Sequence, residues 1–210
     1  ASASINTIDY ALLDPSSFSI SEARKVLMPP FQGGVEYEMK LQNLECDRGS
    51  FDVVWATHAL YAIPQNELEE ALGCMINTIG NIEASGVVGS GFIAHAKSRS
   101  HYLEFYELFL QAFKQGGVEP FTSSEQITSA LTRMGLPLEV KEIAYTNGVP
   151  EDMEMEVEQY LQRCVFDDTV SLKQMLTNSI TGPYLESCRK NGMWQFSQHV
   201  DMIFINAPHV

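Results

Sequence analysis

The segment Phe51-Asp52-Val53-Val54-Trp55-Ala56-Thr57-His58-Ala59-Leu60-Tyr61-Ala62-Ile63-Pro64 constrains this chain more than any other. An apolar run from Val53 to Ala56 is opened by an acid and closed by polar Thr57 and His58. A short turn follows, and then apolar residues recur at Leu68, Ala71, Leu72, Met75, Ile76 and Ile79, which is helical spacing. The pattern predicts a buried strand over 52–56, a loop across its C-terminal end and a helix over 65–79 that packs back on the sheet. In open α/β sheets, ligands bind beyond the carboxyl ends of the strands, the place this pattern gives Thr57, His58 and Tyr61.

The remaining periodicities extend the same theme. A strand over Ile5 to Leu13 ends at Asp14-Pro15, and Ser19 or Ser21 is placed to cap the helix after it, which Pro29-Pro30 stops. Gln32-Gly33-Gly34 reads as a turn, and Val35 to Met39 alternates as a half-exposed strand. A strand with a glycine-rich entrance spans Gly86 to Ala96, and an amphipathic helix covers His101 to Lys114. Thr122-Ser123-Ser124-Glu125 has the look of a capping box opening another helix, which Gly135 terminates before a strand over Leu138 to Tyr145. Helices at about 151–166, 169–181 and 183–190 precede a closing strand from Met193 to Ile205. This is a doubly wound, Rossmann-like α/β sheet with an antiparallel last strand and a helical excursion before it. It divides into a core over 1–149, a helical cap or lid over 150–192, and the closing strand of the core over 193–210.

Charge and cysteines bound the function. Net charge is -14, from 27 acidic and 13 basic residues, which disfavours nucleic-acid phosphate or an anionic membrane as the main partner. Cys46, Cys74, Cys164 and Cys188 show no C-x-x-C pairing and no finger-like His spacing, so neither a zinc site nor a disulfide framework is expected. No apolar run is long enough to span a bilayer and no signal pattern opens the sequence, so a cytoplasmic location is expected.

The words FDVVWATHALYAIP resemble the fourth-strand segment of class I S-adenosylmethionine (SAM)-dependent methyltransferases. The "DPS" after the early strand, the "LY" after the central one and the FSQHVDMIFI ending resemble the small-molecule branch related to histamine N-methyltransferase. The resemblance implies SAM as cofactor and a small-molecule methyl acceptor, with an amine slightly preferred. It places Asp14 on the cofactor ribose hydroxyls, Ser19 near the adenosine, Gln42 and Asn43 at the adenine edge, and Thr57 beside the cofactor. His58 becomes the catalytic residue facing the acceptor, with Tyr61 and Gln198 as further acceptor contacts. The chemistry is an in-line displacement that calls for positioning and proton acceptance rather than a metal.

One family feature is missing. The family's first strand runs into a glycine-rich loop beside the methionine part of the cofactor, and here the pattern starts at the second strand. Gly86-Val87-Val88-Gly89-Ser90-Gly91 precedes a strand, whereas a cofactor loop follows one and opens a helix. In the family that strand lies centrally, between the second and fourth, so its removal leaves two unpaired edges. The 210 residues are therefore expected to belong to a longer polypeptide. A catalytically inactive methyltransferase-like scaffold and another nucleotide-binding α/β enzyme, such as a dehydrogenase, remain the alternatives.

Overall fold

Two separate parallel ladders, rather than one continuous sheet, organise the protein. The computed structural model describes residues 7–82, 87–114, 116 and 118–206. In chain order the elements are β1 (Ile8–Leu13), α1 (Ser17–Val26), β2 (Phe31–Tyr37), β3 (Val53–Thr57), α2 (Leu68–Asn77), two-residue strands β4 (Asn81–Ile82) and β5 (Val87–Val88), and β6 (Ser90–Ala96). Then come α3 (His101–Phe113), α4 (Ser124–Arg133), β7 (Leu138–Pro150), α5 (Glu154–Val165), α6 (Leu172–Thr177), α7 (Thr181–Ser187), β8 (Arg189–Lys190) and β9 (Met193–Asn206). The main sheet runs β3-β6-β9-β7, with β3 parallel to β6 and β9 antiparallel to both its neighbours. β1 and β2 pair in parallel in a ladder of their own.

The division falls where the family resemblance puts the missing strand. Among the described residues, no strand pairs the edge of β1 away from β2 or the edge of β3 away from β6. Side chains bridge the interval instead: Trp55 Nε1 donates to the Tyr10 hydroxyl at 3.0 Å, and the two rings stand 5.4 Å apart. A second tie lies further along. Leu41, in the turn after β2, packs on the core under α2, and the Gln42 amide donates to Glu67 at 2.6 Å.

The core of the main sheet lies on one face, where Ala56, Ile93, Ile203 and Ile205 meet α2 (Leu68, Leu72, Met75) and α4 (Ile127, Ala130, Leu131). A second core sits beyond the C-terminal end of β6. There β7 and β9 continue as a ribbon, and α5, α6 and α7 pack with α3 against Trp194 and Phe196. β8 replaces β6 beside the ribbon through an Asn191-Gly192 turn, both residues at positive φ.

Several expectations need correction. Gln32-Gly33-Gly34 is not a turn but the interior of β2, because β1 supplies a partner, and the register slips between Tyr10 and Leu12 opposite this stretch. The cap of α1 is Ser16, whose hydroxyl accepts from the Ser19 amide at 3.3 Å, so Ser19 lies inside the helix. β7 runs five residues past Tyr145, to Pro150, because β9 pairs with it over its whole length. Gly86, the first residue of the glycine-rich entrance, and Ile5 lie outside the described residues. Gly89 and Gly91 fill a packing role: a Cβ on them would approach Gly80 O to 2.2 Å and Ile79 Cδ1 to 2.9 Å. The box before α4 forms as Ser123 with Gln126, shifted one residue from the pattern first seen.

The two tryptophans report the two environments separately. Trp55 is 48% exposed and Trp194 is fully buried. Acrylamide should therefore quench two distinct emission classes, and Trp55→Phe should abolish the accessible one. A single uniformly quenched class would contradict this packing.

Candidate functional site

The C-terminal ends of β1, β2 and β3 each present polar residues. Asp14 follows β1, and its carboxylate Oδ1 accepts from the Ser16 amide at 2.8 Å, while its own amide donates to Tyr37 O. Among the described residues Oδ2 accepts no hydrogen bond. Asp14 thus turns the chain into α1 and offers one carboxylate oxygen beyond the strand end. After β2, Gln42 and Asn43 lie in a single helical turn, Leu41–Asn43. The Gln42 amide is bonded to Glu67 and its carbonyl accepts from Cys74 Sγ at 3.6 Å, so Gln42 fastens this turn to α2. Asn43 is exposed and its side chain has no recorded bond among the described residues.

Thr57 and His58 end β3, and both are exposed. His58 is one of three non-glycine residues at positive φ among those described (φ 51°). For a residue with a Cβ this conformation costs on the order of 1 kcal/mol. The His58 amide is held by donation to Ala94 O at 2.9 Å, which fixes the turn against β6. Strain of this kind is concentrated at functional sites.

Tyr61 supports His58 from beneath. Its hydroxyl lies 2.5 Å from His58 Nδ1, and the two rings stack at 5.9 Å. The phenol ring is itself buried against His95 (4.0 Å), Tyr102 (4.9 Å) and Phe121 (5.5 Å), and Tyr61 O accepts from the Thr122 amide. Burial raises the Tyr61 pKa well above the ordinary phenol value, so the hydroxyl stays protonated at neutral pH. Although His58 is exposed as a residue, partial desolvation of its ring lowers its pKa below the ordinary imidazole value, which favours the neutral form there. If the phenol donates to Nδ1, Nε2 carries the ring proton and acts as a donor. If Nδ1–H donates to the phenol oxygen, Nε2 is left with its lone pair as an acceptor.

His95, beneath Tyr61, donates from Nε2 to Thr122 O at 2.8 Å. Its Nδ1 is buried with no partner among the described residues, and burial lowers its pKa to about 4. Thr122 in turn donates its hydroxyl to Ile63 O. The loop 59–63 and the start of α4 are thereby joined beneath His58.

Gln198 belongs to a different network. It is 5% exposed, and its amide donates to the Tyr160 hydroxyl at 3.1 Å, which also accepts from Asn147 at 3.4 Å. Next to it His101, at the start of α3, lies within 4.3–5.7 Å of the rings of Phe196, Phe105, Tyr160 and Tyr184, and its Nδ1 meets the Tyr184 hydroxyl at 2.9 Å. Burial lowers the His101 pKa to about 3. The structure therefore joins His58 to Tyr61, sets Asp14, Asn43 and Thr57 at strand ends, keeps Ser19 inside α1, and binds Gln42 and Gln198 to protein partners. Sequence reasoning missed Ser16, Thr122, Tyr160 and His101. Of these only Ser16 carried a local signal, its place directly ahead of a helix. Among the described residues no three His, Cys, Asp or Glu side chains are grouped as metal ligands, and no helix is long and apolar enough to cross a membrane.

No family model and no curated protein matches this sequence. Solved structures do. A proposed methyltransferase from Bacillus halodurans superposes with a TM-score of 0.57 at 10% identity, over 95% of this chain and 83% of its own. The YcgJ protein of Bacillus subtilis gives 0.51 at 13% identity, over 96% and 83%. The fold is that of the class I methyltransferases, a Rossmann-like α/β architecture.

Buried neutral histidines make the fold sensitive to acid. His95 and His101 titrate at about 4 and about 3 in the folded protein, against about 6.5 when unfolded. Below pH 6.5 the unfolded chain binds protons that the folded one excludes, so stability falls as pH drops toward 4. Urea midpoints at pH 7.5, 6 and 5 should decrease in that order. An unchanged midpoint would show that neither ring is held neutral.

Proposed function

We propose that the C-terminal edge of β1, β2 and β3 binds SAM and that the protein transfers its methyl group to a small-molecule acceptor, an amine by preference. One observation carries the reading: in a class I methyltransferase fold, an acid, an amide and a strained histidine stand at the ends of these three strands. Asp14 fits the ribose diol, because the open oxygen of a carboxylate accepts from hydroxyls and charge-assisted bonds are strong. Asn43 fits the adenine edge, since an amide both donates and accepts. Gln42 fits less well, being spent on Glu67, and Ser19 serves α1. The described residues provide no cradle for the methionine part.

When bound, SAM supplies a methyl group already activated by its sulfonium. The chain's contribution is to hold and orient the acceptor and to manage its proton. An amine attacks through its lone pair, so an ammonium acceptor must first lose a proton. His58 Nε2 suits that task in the tautomer whose Nδ1–H is bonded to Tyr61. Such proton acceptance is worth about 10²–10⁴ in rate, and alignment of the two reactants supplies much of the rest. Tyr61 acts through His58 instead of touching the acceptor, and Gln198, bonded to Tyr160, fits an acceptor contact less well.

Calorimetric titration with S-adenosylhomocysteine tests the cofactor half, using the longest natural form of the protein. Micromolar binding, weakened about tenfold or more by Asp14→Ala, is expected from the loss of hydrogen bonds to a charged group. With a methylated amine product detected, His58→Gln should lower kcat by about 10²-fold or more. Absence of binding by that form would reject the enzyme reading in favour of a catalytically silent scaffold.

A further inference from the structure

Strand β7 is open to solvent along most of its length. Eight consecutive residues, Glu139 to Thr146, are exposed, and successive side chains of a strand point to opposite faces, so both faces are bare there. Among them Val140, Ile143 and Tyr145 are 43%, 48% and 46% exposed. β9 pairs with one edge of the strand, residue for residue, from Leu138 to Pro150. Among the described residues no strand pairs with its other edge.

Alternate residues turn their backbone groups outward at that free edge. His199, opposite Ala144, accepts from the Lys97 amide at 2.8 Å and donates its own amide to the Ser100 hydroxyl at 2.8 Å. Its backbone groups thus face away from β7, which makes Ala144–His199 a non-hydrogen-bonded pair and turns the Ala144 N–H and C=O away from β9 as well. By alternation Val140, Glu142 and Thr146 do the same. Natural sheet edges are guarded by short strands, proline, bulges or lysine. β7 is long, has no proline before Pro150 and shows no register shift against β9. Its lysine is engaged, Lys141 pairing with Glu139 at 2.8 Å and lying 5.5 Å over Phe204. Charge along the strand is balanced, since Lys97 and Arg99 pair with Glu142, although the whole chain carries -14.

We propose that this edge is an interface between two copies of the chain, β7 pairing antiparallel with its own copy across a two-fold axis and joining the two main sheets. In such a contact residue i meets j and j meets i. Outward groups must meet outward groups, so the axis passes beside a residue and not between two. An axis at Lys141 opposes two ammonium groups and one at Glu142 opposes two carboxylates, both unfavourable. Of the positions free of such a clash, Ile143 lies nearest the middle of the exposed run. An axis there sets Ile143 against Ile143, Lys141 against Tyr145, Glu142 against Ala144 and Val140 against Thr146. The Ile143 pair is non-hydrogen-bonded, the kind in which side chains approach more closely, and the lysine stem covers the tyrosine ring. β7 lies at the opposite edge of the main sheet from β3, so the pairing leaves Thr57 and His58 clear and does not rest on methyl transfer.

Light scattering over a concentration series, together with amide exchange followed by NMR, tests the interface. The mass should rise to twice that of one copy, and Ile143→Lys, which sets two further ammonium groups against each other at the axis, should return it to one. In the dimer the amides of Val140, Glu142, Ala144 and Thr146 should exchange at least about tenfold more slowly than in the dilute protein. Those of Lys141, Ile143 and Tyr145, already bonded to β9, should change less. The mass of one copy at every concentration overturns the proposal. So does a dimer whose four outward amides exchange as in the dilute protein, or one that Ile143→Lys leaves intact. The exchange measurement uses the unaltered protein, so it decides the matter even if the variant fails to fold.

Discussion

Everything at the candidate site depends on how the β1–β2 ladder is held against β3, and the central tie is the Trp55–Tyr10 contact. Parallel ladders elsewhere in the fold are secured by backbone bonds, one per residue pair. Here an indole donating to a phenol does that work, with Phe31 packed edge-on to Tyr10 at 5.7 Å. A single exposed hydrogen bond is worth about 1 kcal/mol, so the aromatic contacts and the Leu41–Gln42 tie to α2 must carry a comparable share. Asp14 and Asn43 sit on one side of this junction and Thr57 and His58 on the other. The relative placement of the two halves of the site is thus set by side chains.

A second chain of contacts runs from Tyr61 toward α5 and α7. Tyr61 fixes His58 and stacks on Tyr102 of α3. The residue before Tyr102 is His101, whose ring is enclosed by aromatic side chains from α5, α7 and β9. Helix α3 therefore has one residue in each network. The end of β6, just ahead of α3, is tied differently. The Asp201 carboxylate, 4% exposed, accepts from Ser124 and from the Lys97 ammonium, fastening β9 to α4 and to the end of β6.

Much of this was legible in the sequence where one residue type at one spacing left little choice. Val53 to Ala56 with the helical repeat from Leu68 to Met75 gave β3 and α2, and the interrupted order gave the division between β1 and β3. What escaped was set by partners distant in sequence. Gly33-Gly34 looked like a turn because glycine weakens strands locally, and only pairing with β1 makes it one. The strand expected over Leu138 to Tyr145 continues to Pro150, because β9 runs beside it throughout. Tyr61 was expected as an acceptor contact, its sequence position after β3 being equally consistent with core packing beneath the following helix. It lies buried under His58, where His95 and Phe121, 34 and 60 positions later, build the floor on which it rests. Gln42 and Gln198 were read from their positions after or on strands, and nothing local announced Glu67 and Tyr160 as their partners.

The most direct measurement is a two-dimensional NMR titration of the longest natural form with S-adenosylhomocysteine. The account predicts saturable shift changes at the backbone amides of Asp14, Asn43, Thr57 and His58, on both sides of the Tyr10–Trp55 junction. Amides at the far end of the sheet, such as those of Leu138 and Glu139, should stay fixed. Changes confined to one of the two ladders, changes clustered elsewhere, or none at saturating ligand would contradict a cofactor site built across that junction.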